Sequence, residues 1–146
     1  MTTVHIVLGV AVVVVNLAAG LLGAYKWRKD EYSHAFWPIL RTGQALVVLE
    51  ALDGAVLLLM GQELPRLHLI YGLVPLAVSF VAEQLRLAAA DTVLGQRDLE
   101  GRKDVERLSP EEQNELVRVI VRREMGVMAA SAVVVALLGV RAAGAL

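Results

Sequence analysis

Four long apolar stretches constrain this chain more than any other feature of its sequence. They cover about residues 3–24, 35–60, 67–90 and 125–143, and each is close to the roughly 20 residues that a helix needs to cross about 30 Å of hydrocarbon. They are too long, and alternate too little, for the strands of a membrane β-barrel. We therefore predict an all-α protein, a polytopic membrane four-helix bundle, with residues 1–146 forming a single membrane domain.

The composition supports this class of protein. Hydrophobic residues make up 57% of the chain and aromatic residues only 5%, so the excess is aliphatic. A formal net charge of −1 argues against nucleic acid as a partner. The chain has no cysteine, which excludes disulfides, cysteine metal sites and iron–sulfur clusters. No Lys or Arg precedes the first apolar stretch, so we predict a retained helix and not a cleaved leader.

The segment 91–124 is the only long charged part of the sequence. Within it, Ser109 is a suitable N-cap, Pro110 suits the first helical position, and Glu112 completes a capping box. No Pro follows, and the first Gly afterwards is Gly126. We therefore predict one continuous fourth helix that extends into the cytoplasm, and we expect residues 91–108 to be the flexible part.

The distribution of positive charge predicts the orientation. Ten of the 14 Lys and Arg residues lie in segments 25–34 and 91–124, and Arg41 and Arg86 lie near the same membrane face. Only Arg66 and Arg141 lie at the other face. Cytoplasmic loops carry such an excess of Lys and Arg. We therefore predict a multi-pass protein of the cell (inner) membrane with its N-terminus and C-terminus outside the cytoplasm.

Ionisable and amide side chains inside the apolar stretches are the candidate site residues. A charge at membrane depth costs several kcal/mol unless it is paired or hydrated. The intramembrane polar residues are Asn16, Arg41, Gln44, Glu50, Asp53, Glu83 and Arg86. Four of them lie about 9–13 Å from the cytoplasmic ends at ~1.5 Å per residue: Asn16, Arg41, Gln44 and Glu83. We predict an Arg41–Glu83 ion pair, with Asn16 or Gln44 satisfying the remaining atoms.

A second polar cluster is expected at the outer face. His5, His68 and Tyr71 lie within about 6 Å of that boundary, and Asp53 lies about 10 Å deep, at ~1.5 Å per residue. Whether this cluster binds a metal is left open by the sequence. Glu50 lies nearest the midplane and has no cation at its level. We expect it to be protonated, to face water or to pair across an interface, and it is the best single functional candidate.

The second apolar stretch carries polar residues on two sides. Arg41 and Gln44 lie on one side, and Glu50 and Asp53 lie about 120–180° away at 100° per residue. Either this helix lies between two neighbours, or one polar side meets another subunit. The second possibility predicts a homo-oligomer or a larger membrane complex within the lipid bilayer.

Three functional hypotheses fit these features. The sequence carries no catalytic motif, which favours a non-enzyme: a structural, accessory or interaction subunit, and this is the leading hypothesis. One alternative is a small proton- or cation-coupled transporter or channel that uses Glu50 and Asp53. The other is a haem- or quinone-binding electron carrier that uses His5 and His68, with haem b as the possible cofactor.

Overall fold

The computed structural model describes residues 3–63, 65–99 and 102–144, and all regular secondary structure within these ranges is helical. The helices are α1 (Thr3–Lys29), α2 (Phe36–Leu59), α3 (Arg66–Gln96), α4 (Arg102–Glu106) and α5 (Pro110–Ala142). Four of them, α1, α2, α3 and α5, are long and apolar enough to cross a membrane. The predicted all-α four-helix membrane bundle is therefore confirmed.

Two helices extend beyond their predicted apolar stretches. α1 continues to Lys29, and its last turn contains three basic residues, which interact favourably with the negative end of the helix dipole. α3 continues to Gln96, and the short α4 follows it. Part of the segment 91–108, which we expected to be flexible, is therefore helical.

The start of α5 is the capping box that the sequence predicts. The hydroxyl of Ser109 accepts a hydrogen bond from the Glu112 backbone N–H at 3.2 Å, and the Ser109 backbone N–H donates to the Glu112 carboxylate at 2.8 Å. Pro110 occupies the start of the helix, and α5 then continues without a break to Ala142. The predicted continuous fourth helix is confirmed.

The long helices form a ring in the order α2–α1–α5–α3. α1 packs against α2 and α5, and α3 packs against α5, whereas α2 and α3 make few contacts with each other. We call this loosely packed line between α2 and α3 the seam. α1 and α5 also approach each other closely: a Cβ on Gly20 would lie 2.6 Å from Val133 Cγ2, and one on Gly23 would lie 2.8 Å from Ala129 Cβ. Small residues allow this close approach of two membrane helices.

The bundle has two halves that differ in what they carry. The terminal half holds the start of α1, the end of α5 and the turn between α2 and α3. The connector half holds the α1–α2 link and the segment that joins α3 to α5. The main apolar core lies in the connector half, around Phe36, Leu40, Met125 and Met128. A smaller apolar layer of Val12, Val47 and Val135 lies nearer the terminal half.

Ion pairs connect the α1–α2 link to the charged part of α5. The guanidinium groups of Arg118 and Arg122 lie 3.2 and 3.3 Å from the carboxylate of Asp30, which has a left-handed backbone with φ of 56°. Beside it, Lys26 Nζ donates to Glu31 at 2.6 Å, and this hydrogen bond lowers the pKa of the exposed Glu31 carboxyl. These contacts are solvent-exposed, so we assign them little stability.

Candidate functional site

The polar residues of the connector half form one network around Glu83. Its carboxylate pairs with the Arg41 guanidinium of α2, accepts from Gln44 Nε2 at 2.9 Å and accepts from Arg86 Nε at 2.8 Å. Arg86 also lies 3.9 Å from the carboxylate of Glu124 on α5. The network therefore contains two guanidinium groups and two carboxylates, and the predicted Arg41–Glu83 pair is present.

Asn16 is buried but lies outside this network. Its amide nitrogen donates to the carbonyl oxygens of Val12 at 2.8 Å and Gly43 at 3.3 Å. A Cβ on Gly43 would lie only 2.8 Å from Asn16 Oδ1. Of the two residues that the sequence offered as additional partners for the ion pair, Gln44 contacts Glu83, whereas Asn16 joins α1 to α2.

Side chains from α1, α2 and α3 converge in the terminal half on His5, which is 4% exposed. His5 Nδ1 lies 3.0 Å from Asp53 Oδ2, and His5 Nε2 lies 3.4 Å from Glu50 Oε1 and 3.5 Å from His68 Nε2. α5 joins them through the Ala142 carbonyl oxygen, 3.0 Å from His68 Nδ1. We call His5, Glu50, Asp53 and His68 the imidazole–carboxylate cluster.

The hydrogen bonds assign the tautomer of both imidazoles. The Ala142 carbonyl can only accept, so His68 Nδ1 carries a proton, and the same holds for His5 Nδ1 beside the Asp53 carboxylate. When both imidazoles are neutral, each has its one N–H at Nδ1, and each Nε2 is an acceptor. In that form the two Nε2 atoms face each other without a proton between them, and Glu50 Oε1 lies beside His5 Nε2 at 3.4 Å.

The two imidazole rings point at each other nearly end to end. Their centroids are 5.7 Å apart, and their Nε2 atoms are 3.5 Å apart. The centroid separation exceeds the Nε2 separation by about the sum of the two centroid-to-Nε2 distances within the rings. Both Nε2 atoms therefore lie near the line that joins the centroids. The ring planes are inclined at 58° to each other.

A cavity of about 540 Å³ adjoins the cluster. Its walls include Ala55 and Leu58 from α2 and Leu69 and Leu73 from α3, so it reaches both sides of the seam. Glycines leave space around it: Gly9, Gly54, Gly72 and Gly139 line the cavity, and a Cβ on Gly72 would have no atom within 4 Å. Among the residues that the structure describes, the Glu50 Oε2 atom is buried and has no hydrogen-bond partner.

Tyr71, the remaining residue of the predicted outer cluster, also lines the cavity. The Arg141 guanidinium lies over its ring, 5.2 Å from the centroid. Sequence reasoning missed Arg141 and the Ala142 carbonyl, and a backbone carbonyl has no signal in a sequence. Within residues 3–63, 65–99 and 102–144, no group of three or more His, Asp or Glu side chains is arranged to hold a metal ion.

The structure explains the two polar sides of α2 within one chain. Arg41 and Gln44 contact Glu83 on α3, and Glu50 and Asp53 contact His5 on α1. α2 therefore lies between two neighbours, which is the first of the two possibilities that the sequence allowed. These contacts do not require a second copy of the chain.

The fold and its two polar clusters define a multi-pass membrane protein with paired charges in one half and a cavity in the other. No family model, curated protein or solved structure matches this chain. Function is therefore argued from the geometry of the clusters.

Proposed function

We propose that this membrane protein binds a lipid-soluble ligand in the cavity of the terminal half. One observation carries the proposal: apolar walls line a space of about 540 Å³ beside the imidazole–carboxylate cluster, and the buried Glu50 Oε2 of that cluster has no hydrogen-bond partner among the described residues. Ligand sites combine such a volume with a mostly apolar lining and a few converging polar groups. A buried acceptor without a partner costs about 1–3 kcal/mol, so a ligand that brings a donor or a positive centre removes that cost.

The seam supports access to the cavity from the lipid. α2 and α3 contact each other little, and both line the cavity beside the seam. The residues that line the cavity beside the seam are small or apolar, and they include Ala55, Leu69 and Gly72. A ligand with an apolar body can therefore pass between these helices without crossing a polar barrier.

The transporter hypothesis gains less support from the structure. Val12 and Val47 line the inner end of the cavity and pack with Val135 as a buried apolar layer. This layer separates the imidazole–carboxylate cluster from Asn16 and the Glu83 network. In the described residues the cavity therefore serves one half of the bundle and does not form a path across it.

The orientation belongs to the same proposal. The connector half carries most of the Lys and Arg residues, so it faces the cytoplasm of the cell (inner) membrane, and both termini lie outside. Because the chain has no cysteine, single-cysteine variants test this directly in intact cells. An impermeant maleimide should label Gln62→Cys at once and Glu111→Cys only after permeabilisation; the reverse pattern would contradict the orientation.

Bound ligand is tested by native mass spectrometry of the protein purified in mild detergent. We expect an additional small-molecule mass on the wild-type protein and its loss in Gly72→Phe, which places a bulky side chain beside the cavity. Gly95→Phe is the matched control, because a Cβ there also has no atom within 4 Å and Gly95 does not line the cavity. The same mass on all three proteins would overturn the proposal, because a ligand that is still bound in Gly72→Phe does not lie in the cavity.

The accessory-subunit hypothesis is the second candidate, and one observation favours it. α5 begins at Pro110, and its first four turns, at 3.6 residues per turn, form a largely exposed, charged helix before the apolar stretch that begins near residue 125. Such a helix can dock a second copy or another membrane subunit. Crosslinking from Glu111→Cys in native membranes should then yield a discrete adduct, whereas only monomer would contradict this candidate.

A further inference from the structure

We infer that the ligand of this cavity is a haem, bound between the Nε2 atoms of His5 and His68 as its two axial ligands. The inference rests on the proposed function, because it names the ligand class of the same cavity. It is carried by four features: the tautomers of the imidazoles, their end-to-end geometry, the charge of the site and the shape of its walls.

The tautomers are those that metal binding requires. A metal-ligating histidine usually donates its other ring N–H to a carboxylate or a backbone carbonyl, which fixes the ring and makes the free nitrogen more basic. His5 donates from Nδ1 to Asp53 at 3.0 Å, and His68 donates from Nδ1 to the Ala142 carbonyl at 3.0 Å. The Nε2 lone pairs of His5 and His68 are therefore both free to bind a metal ion placed between the two rings.

The separation of the Nε2 atoms is close to that of trans ligands. Imidazole nitrogen binds metals at about 2.0–2.1 Å, so two ligands on opposite sides of one ion are about 4 Å apart. The observed separation is 3.5 Å, and the rings face end to end. The pair therefore needs to open by only about 0.5 Å to admit an iron ion between the two rings.

The charge of the site favours a cationic centre. Glu50 and Asp53 place two carboxylates beside the imidazoles, and α5 contributes Arg141, which lies over the Tyr71 ring. In the assigned tautomers neither imidazole is charged. Carboxylates at membrane depth need a compensating positive charge. The ferric porphyrin core of a haem supplies one positive charge, whereas its two negatively charged propionates would have to point away from Glu50 and Asp53, toward the aqueous boundary.

The walls suit a flat apolar body with two protein ligands. Gly9, Gly54 and Gly72 remove side chains from α1, α2 and α3 around the imidazoles, and a Cβ on Gly54 would lie 3.6 Å from His5 Cε1. Cofactor sites in four-helix bundles are built in this way, from side chains on facing helices. A haem brings its own four equatorial nitrogens, so the absence of a three-ligand metal arrangement among the described residues does not count against it.

The test is a titration of the purified full-length chain with haemin, followed by absorption spectroscopy. We expect one haemin per chain, a six-coordinate low-spin spectrum, and a sharp α band on reduction with dithionite. His5→Ala and His68→Ala should each lose the low-spin spectrum. His34→Ala is the matched control, because the chain has three histidines and His34 is exposed on the α1–α2 link.

Two further variants separate ligation from folding. His68→Gly should lose the low-spin spectrum and regain it when free imidazole is added, which a merely structural role would not produce. Asp53→Asn should keep the spectrum but weaken haemin binding about 10–100-fold, as loss of the hydrogen bond to a ligating histidine does.

The outcomes distinguish the two proposals. In one outcome, the wild-type protein carries a co-purified mass but gives no low-spin spectrum with haemin. This result would overturn haem as the ligand and would leave the cavity proposal standing, with a quinol or another lipid as the bound molecule. A spectrum unchanged in both histidine variants would reveal haemin adsorbed elsewhere and would also overturn the inference. If neither a co-purified mass nor haemin binds, both proposals fail.

Discussion

The two polar clusters of this bundle lie in opposite halves and differ in how their hydrogen bonds balance. Around Glu83, three side chains donate to one carboxylate, and Glu124 adds a second carboxylate for Arg86. Around His5, acceptors exceed donors, and Glu50 Oε2 has no partner among the described residues. The first cluster therefore pairs its charges within the bundle, whereas the second leaves a buried acceptor without a donor, and this difference is why we propose the second as a binding site.

The largest expected difference in the free energy of unfolding comes from making the same Glu→Gln substitution in each cluster. Glu83→Gln leaves the guanidinium groups of Arg41 and Arg86 without their shared carboxylate, and breaking a buried pair in this way costs 3–5 kcal/mol. We expect about 3 kcal/mol, the lower end of that range, because the Arg41 side chain is 48% exposed. Glu50→Gln removes a carboxylate that lacks a full set of partners. We expect it to change the free energy of unfolding by less than about 1 kcal/mol, with either sign.

Unfolding of both variants in the same detergent, followed by circular dichroism, measures this contrast. Equal losses in the two variants would show that Glu50 stabilises the bundle as Glu83 does, and the distinction between the clusters would fail.

A double-mutant cycle sharpens the description of the connector half. Arg41→Ala and Glu83→Ala should each lower thermal stability, and the double variant should be no worse than the worse single variant. Residues that share one network show interaction energies of about 0.5–3 kcal/mol. Strictly additive losses would show that the contact between Arg41 and Glu83 contributes nothing.

Glycine substitutions compare close packing with open space. In Gly43→Ala the new Cβ would lie 2.8 Å from Asn16 Oδ1, and such overpacking costs about 1–3 kcal/mol. Gly72→Ala places its Cβ where no atom lies within 4 Å, and a helical Gly→Ala change can stabilise by up to about 1 kcal/mol. Thermal melts of the two variants should therefore move in opposite directions. A loss in Gly72→Ala would mean that the cavity is narrower than described.

The smallest effect is expected outside both clusters, at the start of α5. Ser109→Ala removes the capping hydroxyl and should cost about 1 kcal/mol, confined to the first turn. Amide exchange near Glu111 should become faster, and haemin binding should be unchanged. Ser131→Ala, in the same helix, is the control, because its hydroxyl donates only to the Met128 carbonyl. Faster exchange along the whole of α5 would show that the cap and the bundle are coupled.

The features that the sequence predicted correctly depend on local patterns. Length and hydropathy predict the four spans, and Ser109, Pro110 and Glu112 predict the start of α5 because a cap involves only neighbouring residues. The Arg41–Glu83 pair was also predictable, because two opposite charges at the same depth in adjacent helices leave few other partners.

The imidazole–carboxylate cluster was harder to predict as a whole. Glu50 was placed nearest the midplane and His5 near the outer boundary, yet His5 Nε2 lies 3.4 Å from Glu50 Oε1. Counting depth along separate helices ignores helix tilt and the reach of side chains along their axes. The order of the helices in the ring was equally hidden, because Val, Leu and Ala on most faces of α1 do not distinguish one neighbour from another.

The seam also determines where the ring can open. α1 and α5 lie in the middle of the ring, where Gly20 comes close to the α5 backbone, and each of these two helices has two extensive neighbours. α2 and α3 lie at the edges and have one extensive neighbour each. His5 therefore lies on the central pair of helices, whereas Glu50 and Asp53 lie on one edge helix and His68 lies on the other. Separation of α2 from α3 would part the two carboxylates from His68 and leave His5 in place.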